Sequence, residues 1–192
     1  METGIVTKSV GSRYKVLIGT GQTIECTLRG KLRVREFRYT NPIAVGDNVF
    51  IDITGNINSG VITGLLDRKN YILRRASNLS KYSQIIAANI DQVILMVTII
   101  LPQTPLEFVD RFLITAEAYR IPSRIVFNKT DLYGGDELKR LEYLISVYSE
   151  IGYDCLRLSL NDESGLAEIK ETMKDKISLI SGNSGVGKTT LL

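Results

Sequence analysis

Gly182, four spacer residues, Gly187, Lys188 and Thr189 spell G-x-x-x-x-G-K-T close to the end of the 192-residue chain. Residues of these types at this spacing suit one task, the cradling of a phosphate group. Glycines let the backbone curl so that successive N–H groups point at one anion. Lys188 would add a point charge to the β- and γ-phosphates, and the Thr189 hydroxyl would ligate Mg²⁺. Asn183, Ser184, Gly185, Val186 and Thr190 complete the candidate cradle. The competing reading is a Gly-rich turn that matches by chance.

A second candidate lies at Asn128-Lys129-Thr130-Asp131, an N-K-x-D. The Asp131 carboxylate can accept two hydrogen bonds from the N1–H and N2–H₂ edge of guanine, and adenine offers no such pair. Charge-assisted bonds of about 1.5–3 kcal/mol each would separate the two bases by orders of magnitude. Asn128 can bond the purine edge, and the Lys129 stem can cover the ring face. Alone, four residues are a weak signal, and Asp131 could be only a helix-start acid. With the phosphate loop the signal is strong, because two unrelated coincidences would be needed.

Elements of alternating type must position these loops. Val93 to Ile100 is an apolar run expected of a strand covered on both faces. Thr104-Pro105-Leu106-Glu107 reads as a capping box with proline at the first helical position. Phe108, Phe112, Thr115 or Ala116, and Tyr119 then follow at helical spacing, as helix–sheet packing. Ser123 to Phe127 is the next strand and delivers the N-K-T-D at its carboxyl end, where open α/β sheets bind ligands. Asp136 caps a helix carrying Leu138, Leu141, Ile145, Tyr148 and Ile151, stopped by Gly152. The strand Cys155–Leu158 leads to Ser159-Leu160, whose backbone N–H would reach the guanine carbonyl; Ser159 could equally just shape the turn. Ser164 caps a short helix with Leu166, Ile169 and Met173 inward, and Ile177–Ile180 is the strand that feeds the phosphate loop.

The N-terminal third has a different texture. About five short antiparallel strands are expected at 4–10, 13–18, 23–28, 49–53 and 61–63, with Gly55-Asn56 as a hairpin signal. One long excursion interrupts them, which suggests a small closed barrel of the OB type; a β-sandwich fragment is the alternative. The excursion holds Arg29, Lys31, Arg33, Arg35 and Arg38 against one acid, Glu36, with Phe37 and Tyr39 interleaved. Such a loop can neutralise phosphates and stack bases, pointing to RNA, although a solvated loop without a partner has the same composition. The domains expected are therefore a barrel over 1–67, a linker over 68–88 and a partial α/β nucleotide domain over 89–192. Ser77 to Ser83 in the linker is polar and shows no clear period.

Composition agrees with that division. The net charge is +3. Residues 1–75 hold 12 Lys+Arg against 6 Asp+Glu, and residues 76–192 hold 12 against 15. The basic surplus of the first part suits a polyanionic partner. No histidine is present, which excludes histidine-based acid–base, nucleophilic and metal chemistry within this chain. Cys26 and Cys155 stand far apart in no metal spacing, as expected in a reducing cytoplasm. The first residues lack the basic and apolar regions of a signal peptide, and no apolar run is long enough to span a bilayer.

The order of parts is unusual. N-K-T-D comes first, then Ser159-Leu160, then the phosphate loop, which resembles a circularly permuted GTPase. A preceding barrel carrying Leu28-Arg29-Gly30-Lys31 and Val45-Gly46-Asp47, followed by Ala87-Ala88-Asn89-Ile90-Asp91, makes the chain similar to the RsgA family of small-ribosomal-subunit biogenesis GTPases. The resemblance runs through nearly all of the chain. It implies GTP hydrolysis stimulated by the small (30S) ribosomal subunit, GTP and GDP held with Mg²⁺, and a barrel on ribosomal RNA in a cytoplasmic monomer. It also implies a later zinc-binding domain, whose ligands are absent from this chain. In permuted order the switch threonine and the D-x-x-G segment belong beyond Leu192. The D-x-x-G matches at Asp52–Gly55, Asp131–Gly134 and Asp162–Gly165 precede the loop and read as turns. The catalytic residue is accordingly unassigned, and these residues alone are expected to hydrolyse GTP poorly. Two other functions compete: a non-hydrolysing RNA-binding module with a nucleotide-sensing half, and an ATP-using phosphate-loop enzyme with an accidental N-K-T-D.

Overall fold

The computed structural model describes residues 2–30, 42–53, 58–74, 84–159 and 163–192, and these form two compact units, 1–90 and 91–192. In the first unit, five strands close a barrel: β1 (Glu2–Val10), β2 (Arg13–Ile18), β3 (Thr23–Leu28), β4 (Asn48–Ile53) and β5 (Ser59–Leu65). Their order around the barrel is β1-β2-β3-β5-β4, with β4 returning to β1. All pairings are antiparallel except β3 with β5, which run parallel. The expectation of an all-antiparallel set is corrected there: β3 and β5 are separated in sequence by β4, so they meet by barrel closure and not through a hairpin. Strict alternation in β2 and β3 sends Tyr14, Val16, Ile18, Ile24, Cys26 and Leu28 inward, where they meet Val6, Val49, Ile51 and Ile62. Burial pushes the Cys26 thiol up to about 11. The unfolded thiol ionises at lower pH, so stability should fall as pH rises from about 9 towards 11, by on the order of 1 kcal/mol per unit. Cys26→Ala should remove that slope from an alkaline unfolding series.

Two further strands, β6 (Tyr71–Arg74) and β7 (Gln84–Ala88), pair antiparallel inside the stretch expected to be a linker. The reason is apolar: Ile72 and Ile85 are buried, too few in number to show a period in sequence. The same unit holds Val45-Gly46-Asp47 against Ala87-Ala88-Asn89. The Ala88 N–H donates to the Val45 carbonyl at 2.9 Å, and the Asn89 amide to the Gly46 carbonyl at 2.9 Å. Gly46 has φ +89, and a Cβ there would lie 2.0 Å from the Ala88 carbonyl oxygen. Only glycine tolerates that approach.

Asp47 is fully buried and accepts from the Ala44 N–H at 2.8 Å and from Arg68 at 2.6 and 2.7 Å. Arg68 also donates to the Pro42 carbonyl at 2.9 Å. Removing one partner would strand a buried charge. Asp47→Ala should therefore cost about 3–5 kcal/mol in urea denaturation. Asp154→Ala, which breaks an exposed pair with Arg124, should cost at most about 1 kcal/mol.

The second unit is a four-stranded parallel sheet in the order β10-β9-β8-β11. These strands are β8 (Gln92–Val97), β9 (Ser123–Phe127), β10 (Asp154–Arg157) and β11 (Ser178–Ser181), and β8 is buried throughout. It stops at Val97 rather than Ile100, because Thr98 turns the chain: its N–H donates to Thr104 Oγ1 at 3.0 Å and its hydroxyl to the Pro102 carbonyl. Helix α1 (Leu106–Ala118) contacts β8, and α2 (Gly135–Glu150) contacts β10. Helix α3 (Glu163–Met173) places Ile169 in a cluster with Ile94, Met96, Val126, Leu158, Val186 and Leu191. The sheet is thus covered by helices on both faces, the reason its central strand reads as an unbroken apolar run.

Several helix details differ from expectation. The Thr104 hydroxyl serves Thr98 and not the start of α1, so no capping box forms, and Pro105 is the cap position. The buried stripe of α1 is Val109, Leu113 and Ala116, while Phe108 and Phe112 are half-buried beside it with ring centroids 6.1 Å apart. Helix α2 starts at Gly135 with Gly134 as its cap, whose N–H is held by Glu137 at 3.1 Å; Asp136 lies inside the first turn. Its buried stripe is Leu141, Leu144 and Tyr148, with Leu138 and Ile151 exposed. Gly152, at φ +97, follows the helix. Helix α3 begins one residue before Ser164.

Candidate nucleotide-binding site

The phosphate loop leaves the carboxyl end of β11. Gly182 takes φ +147, and a Cβ on it would lie 2.4 Å from the Met96 carbonyl oxygen and 3.0 Å from the Val186 side chain. Gly185 (φ +81) and Gly187 (φ +102) turn the chain again, and Gly187 caps the short helix α4 (Lys188–Leu191). Val186, fully buried, anchors the loop in the core on the α3 side. The Lys188 ammonium folds over the loop and donates to the carbonyls of Gly182 at 2.9 Å and Asn183 at 2.7 Å. Ser184, Thr189 and Thr190 are exposed.

The N-K-T-D turn leaves the carboxyl end of β9. Asn128 is fully buried. Its N–H donates to the Val97 carbonyl, and its side-chain amide to the Val186 carbonyl, each at 2.8 Å. The side chain that opens the turn is therefore bonded directly to the phosphate loop. Among the described residues, Asn128 Oδ1 is the buried side-chain polar atom left without a partner. Such atoms are rare and costly unless a ligand or water meets them. Lys129 sits in the left-handed region at φ +64 and sends its ammonium to the Leu101 carbonyl. Thr130 donates from both N–H and hydroxyl to the Leu158 carbonyl at 3.2 Å, which ties the turn to the end of β10 beside the buried Ser159. Asp131 is exposed within a 3₁₀ turn, Thr130–Leu132.

Asn128, Lys129, Asp131, Leu132, Gly185, Gly187 and Thr190 line one cavity of about 290 Å³. The two motifs, far apart in sequence, thus share a cleft at the carboxyl edge of the sheet, as open parallel sheets favour. Gly182, Asn183, Lys188, Thr189 and Ser159 flank this cleft in the chain without contributing to its lining. Leu160, Lys31, Arg33, Arg35 and Arg38 lie outside the described residues; Arg29 is exposed at the end of β3, its N–H donating to the Ile62 carbonyl at 3.1 Å. Among the described residues, no cluster of His, Cys, Asp and Glu is arranged to hold a metal ion.

Several contributors carry no sequence signal. Tyr133 is buried; its hydroxyl donates to the Asn128 carbonyl at 2.5 Å and accepts from the Ile99 N–H at 2.9 Å. Burial is the main cause that pushes its phenol up. The 98–104 loop lies between the two motifs, with Leu101 accepting from Lys129 and Pro102 against Gly185. Both features depend on contacts across the sheet that no local pattern encodes.

Comparison with known proteins agrees with this architecture. Family models described as the RsgA N-terminal domain and the RsgA GTPase match residues 3–62 and 65–192. The small ribosomal subunit biogenesis GTPase RsgA of Phocaeicola vulgatus is 51% identical over 189 residues, covering 98% of this chain and 61% of that relative. Its counterpart in Flavobacterium johnsoniae is 49% identical over 192 residues, covering 99% and 59%. The chain therefore spans about three fifths of the length of these curated relatives. YjeQ from Thermotoga maritima superposes with a TM-score of 0.81 at 37% identity, over 99% of this chain and 63% of that structure. YloQ, a circularly permuted GTPase, superposes with 0.77 at 29% identity, over 99% and 62%. A closed five-stranded barrel, a parallel-sheet nucleotide domain with its motifs in permuted order, and these matches over both parts lead to one conclusion: the chain belongs to the RsgA GTPase family.

Proposed function

We propose that the chain binds GTP and GDP in the cleft shared by Asn128–Leu132 and Gly185–Thr190, as the nucleotide-holding part of a GTP-hydrolysing factor in small-subunit ribosome biogenesis. The observation that carries this reading is the common lining of that cleft by both motifs. The groups present fit a guanine nucleotide. The Asn128 side chain, its Oδ1 unpartnered, lines the base end, and Gly182 lies so close to the Met96 carbonyl that only a residue without a Cβ lets the phosphate loop take this course.

In this reading Asp131 accepts from the guanine N1–H and N2–H₂, Asn128 meets the purine edge, and the Lys129 stem covers the ring. Ser159 and Leu160 contribute backbone at the guanine carbonyl. Gly182 to Gly187 offer backbone N–H groups to the phosphates, with Lys188 turning its ammonium from the loop carbonyls to the β- and γ-phosphates. Thr189 and Thr190 lie at the phosphate end, and the Thr189 hydroxyl would hold Mg²⁺, which neutralises phosphate charge when bound. The barrel contacts ribosomal RNA through Arg29, Lys31, Arg33, Arg35 and Arg38, and the factor acts as a cytoplasmic monomer. Zinc belongs to a further domain in this reading and not to these residues.

Titration with GTP and ATP analogues tests the base reading. GTP should bind at least about 100-fold more tightly, given two charge-assisted bonds that adenine cannot make. Equal affinities would reject it. For the barrel, affinity for 30S RNA should fall steeply with salt, and neutralising Arg33, Arg35 and Arg38 should flatten that slope by about three. An unchanged slope would remove the basic loop from the interface.

A further inference from the structure

The 98–104 loop has no role in the reading above, yet it touches both halves of the cleft. On one side Lys129 holds its Leu101 carbonyl and Tyr133 holds its Ile99 N–H. On the other, a Cβ at Gly185 would come within 3.3 Å of the Pro102 ring, so the loop is seated directly under the phosphate loop. The loop is also braced internally, because the Thr104 N–H donates to the Thr98 carbonyl at 2.9 Å and the Thr104 hydroxyl accepts from the Thr98 N–H at 3.0 Å. It is a fixed spacer between base end and phosphate end.

We propose that Tyr133 is a positioning residue for guanine recognition, its hydroxyl locking the Asn128 carbonyl to the Ile99 N–H and so setting the base-reading turn against this spacer. Three features carry the proposal. The Tyr133 hydroxyl uses both its donor and its acceptor capacity on the backbone of two different segments. One of those segments opens the N-K-T-D turn, and the other starts the loop that meets Gly185. Asn128 is itself bonded to Val186, so any shift of the turn is felt at the phosphate loop. Tyr133 does not line the cavity and touches no nucleotide in this scheme; it acts through Asn128 and Asp131.

The inference rests on guanine binding in that cleft, and the test separates the two. Affinities for GDP and for IDP, which lacks the 2-amino group, are measured for the chain and for Tyr133→Phe. The unmodified chain should prefer GDP. Tyr133→Phe removes both bonds of the hydroxyl, loosening the turn, and should weaken GDP roughly three- to tenfold and IDP less, so that the GDP/IDP ratio shrinks. Equal weakening of both, or none, would reduce Tyr133 to a merely structural residue and overturn the proposal. No preference for GDP in the unmodified chain would instead defeat the guanine reading itself. A second measurement needs no substitution, in case the variant fails to fold. Hydrogen exchange at the Ile99 amide should slow at least about tenfold when GDP is added, because a seated base holds the turn closed. Exchange at Ile99 that ignores saturating GDP would also sink the proposal.

Discussion

Asp131→Asn should exchange guanine for xanthine. In the proposed pose the carboxylate accepts two hydrogen bonds from the base edge. Asparagine keeps one acceptor oxygen and turns an NH₂ donor towards the guanine 2-amino group, so a donor faces a donor. Xanthine carries an oxygen at that position, which the amide can satisfy. Charge-assisted bonds are worth about 1.5–3 kcal/mol each, so losing one outright to a facing donor and the charge on the other should weaken GDP by about 100-fold or more. XDP should bind more tightly than GDP to the variant and less tightly than GDP to the parent chain. Asp131 is exposed in a short 3₁₀ turn, so the substitution should leave the fold intact. Titrations of both diphosphates against both proteins check this. If the variant still prefers GDP, Asp131 does not read the base.

Gly182→Ala should disable the other end of the cleft. Two penalties coincide at this residue. The backbone stands at φ +147, a region that residues with a Cβ avoid. The added carbon would also fall 2.4 Å from the Met96 carbonyl oxygen, a backbone atom of the buried strand β8 that cannot retreat. The loop must therefore move, and the N–H groups that face the phosphates move with it. Misplacement near 1 Å costs on the order of 100-fold where alignment matters, so GDP affinity should drop by about that factor. GMP, which lacks the β-phosphate, should lose much less. Gly135→Ala is the control: its Cβ would meet nothing within 4 Å, and its φ is ordinary. That variant should bind GDP like the parent. A Gly182→Ala protein that holds GDP normally would show that the loop does not cradle the phosphates.

These two outcomes probe residues that are legible in the chain as written. Glycine spacing, a lysine and a hydroxyl announce a phosphate loop because each answers a local backbone or charge requirement. N-K-T-D stands out for the same reason, and the strands around it are visible because a doubly covered strand such as Gln92–Val97 has no polar face to hide. Barrel strands β2 and β3 were legible as strands at 13–18 and 23–28, and the structure buries every second residue of each. Less was legible where one residue had several possible partners. Thr104 looks like a helix cap, yet its hydroxyl serves Thr98, because the loop closes on itself before the helix begins. Phe108 and Phe112 look like the buried face of α1, yet a one-residue rotation buries Val109, Leu113 and Ala116. Spacing defines a stripe, and the neighbouring surface chooses which stripe is used.

From the order of its residues alone, this chain was bound to carry a phosphate loop after its base-reading turn, with a basic, strand-rich part before both. Those features depend on residue type and short spacing, which chemistry reads directly. Folding in three dimensions decided that Asn128 would bond Val186, that Tyr133 would join Asn128 to Ile99, and that β3 would meet β5 in parallel. Each of these contacts pairs segments distant in the chain, and a polar atom finds its partner there only after burial has removed water as the alternative.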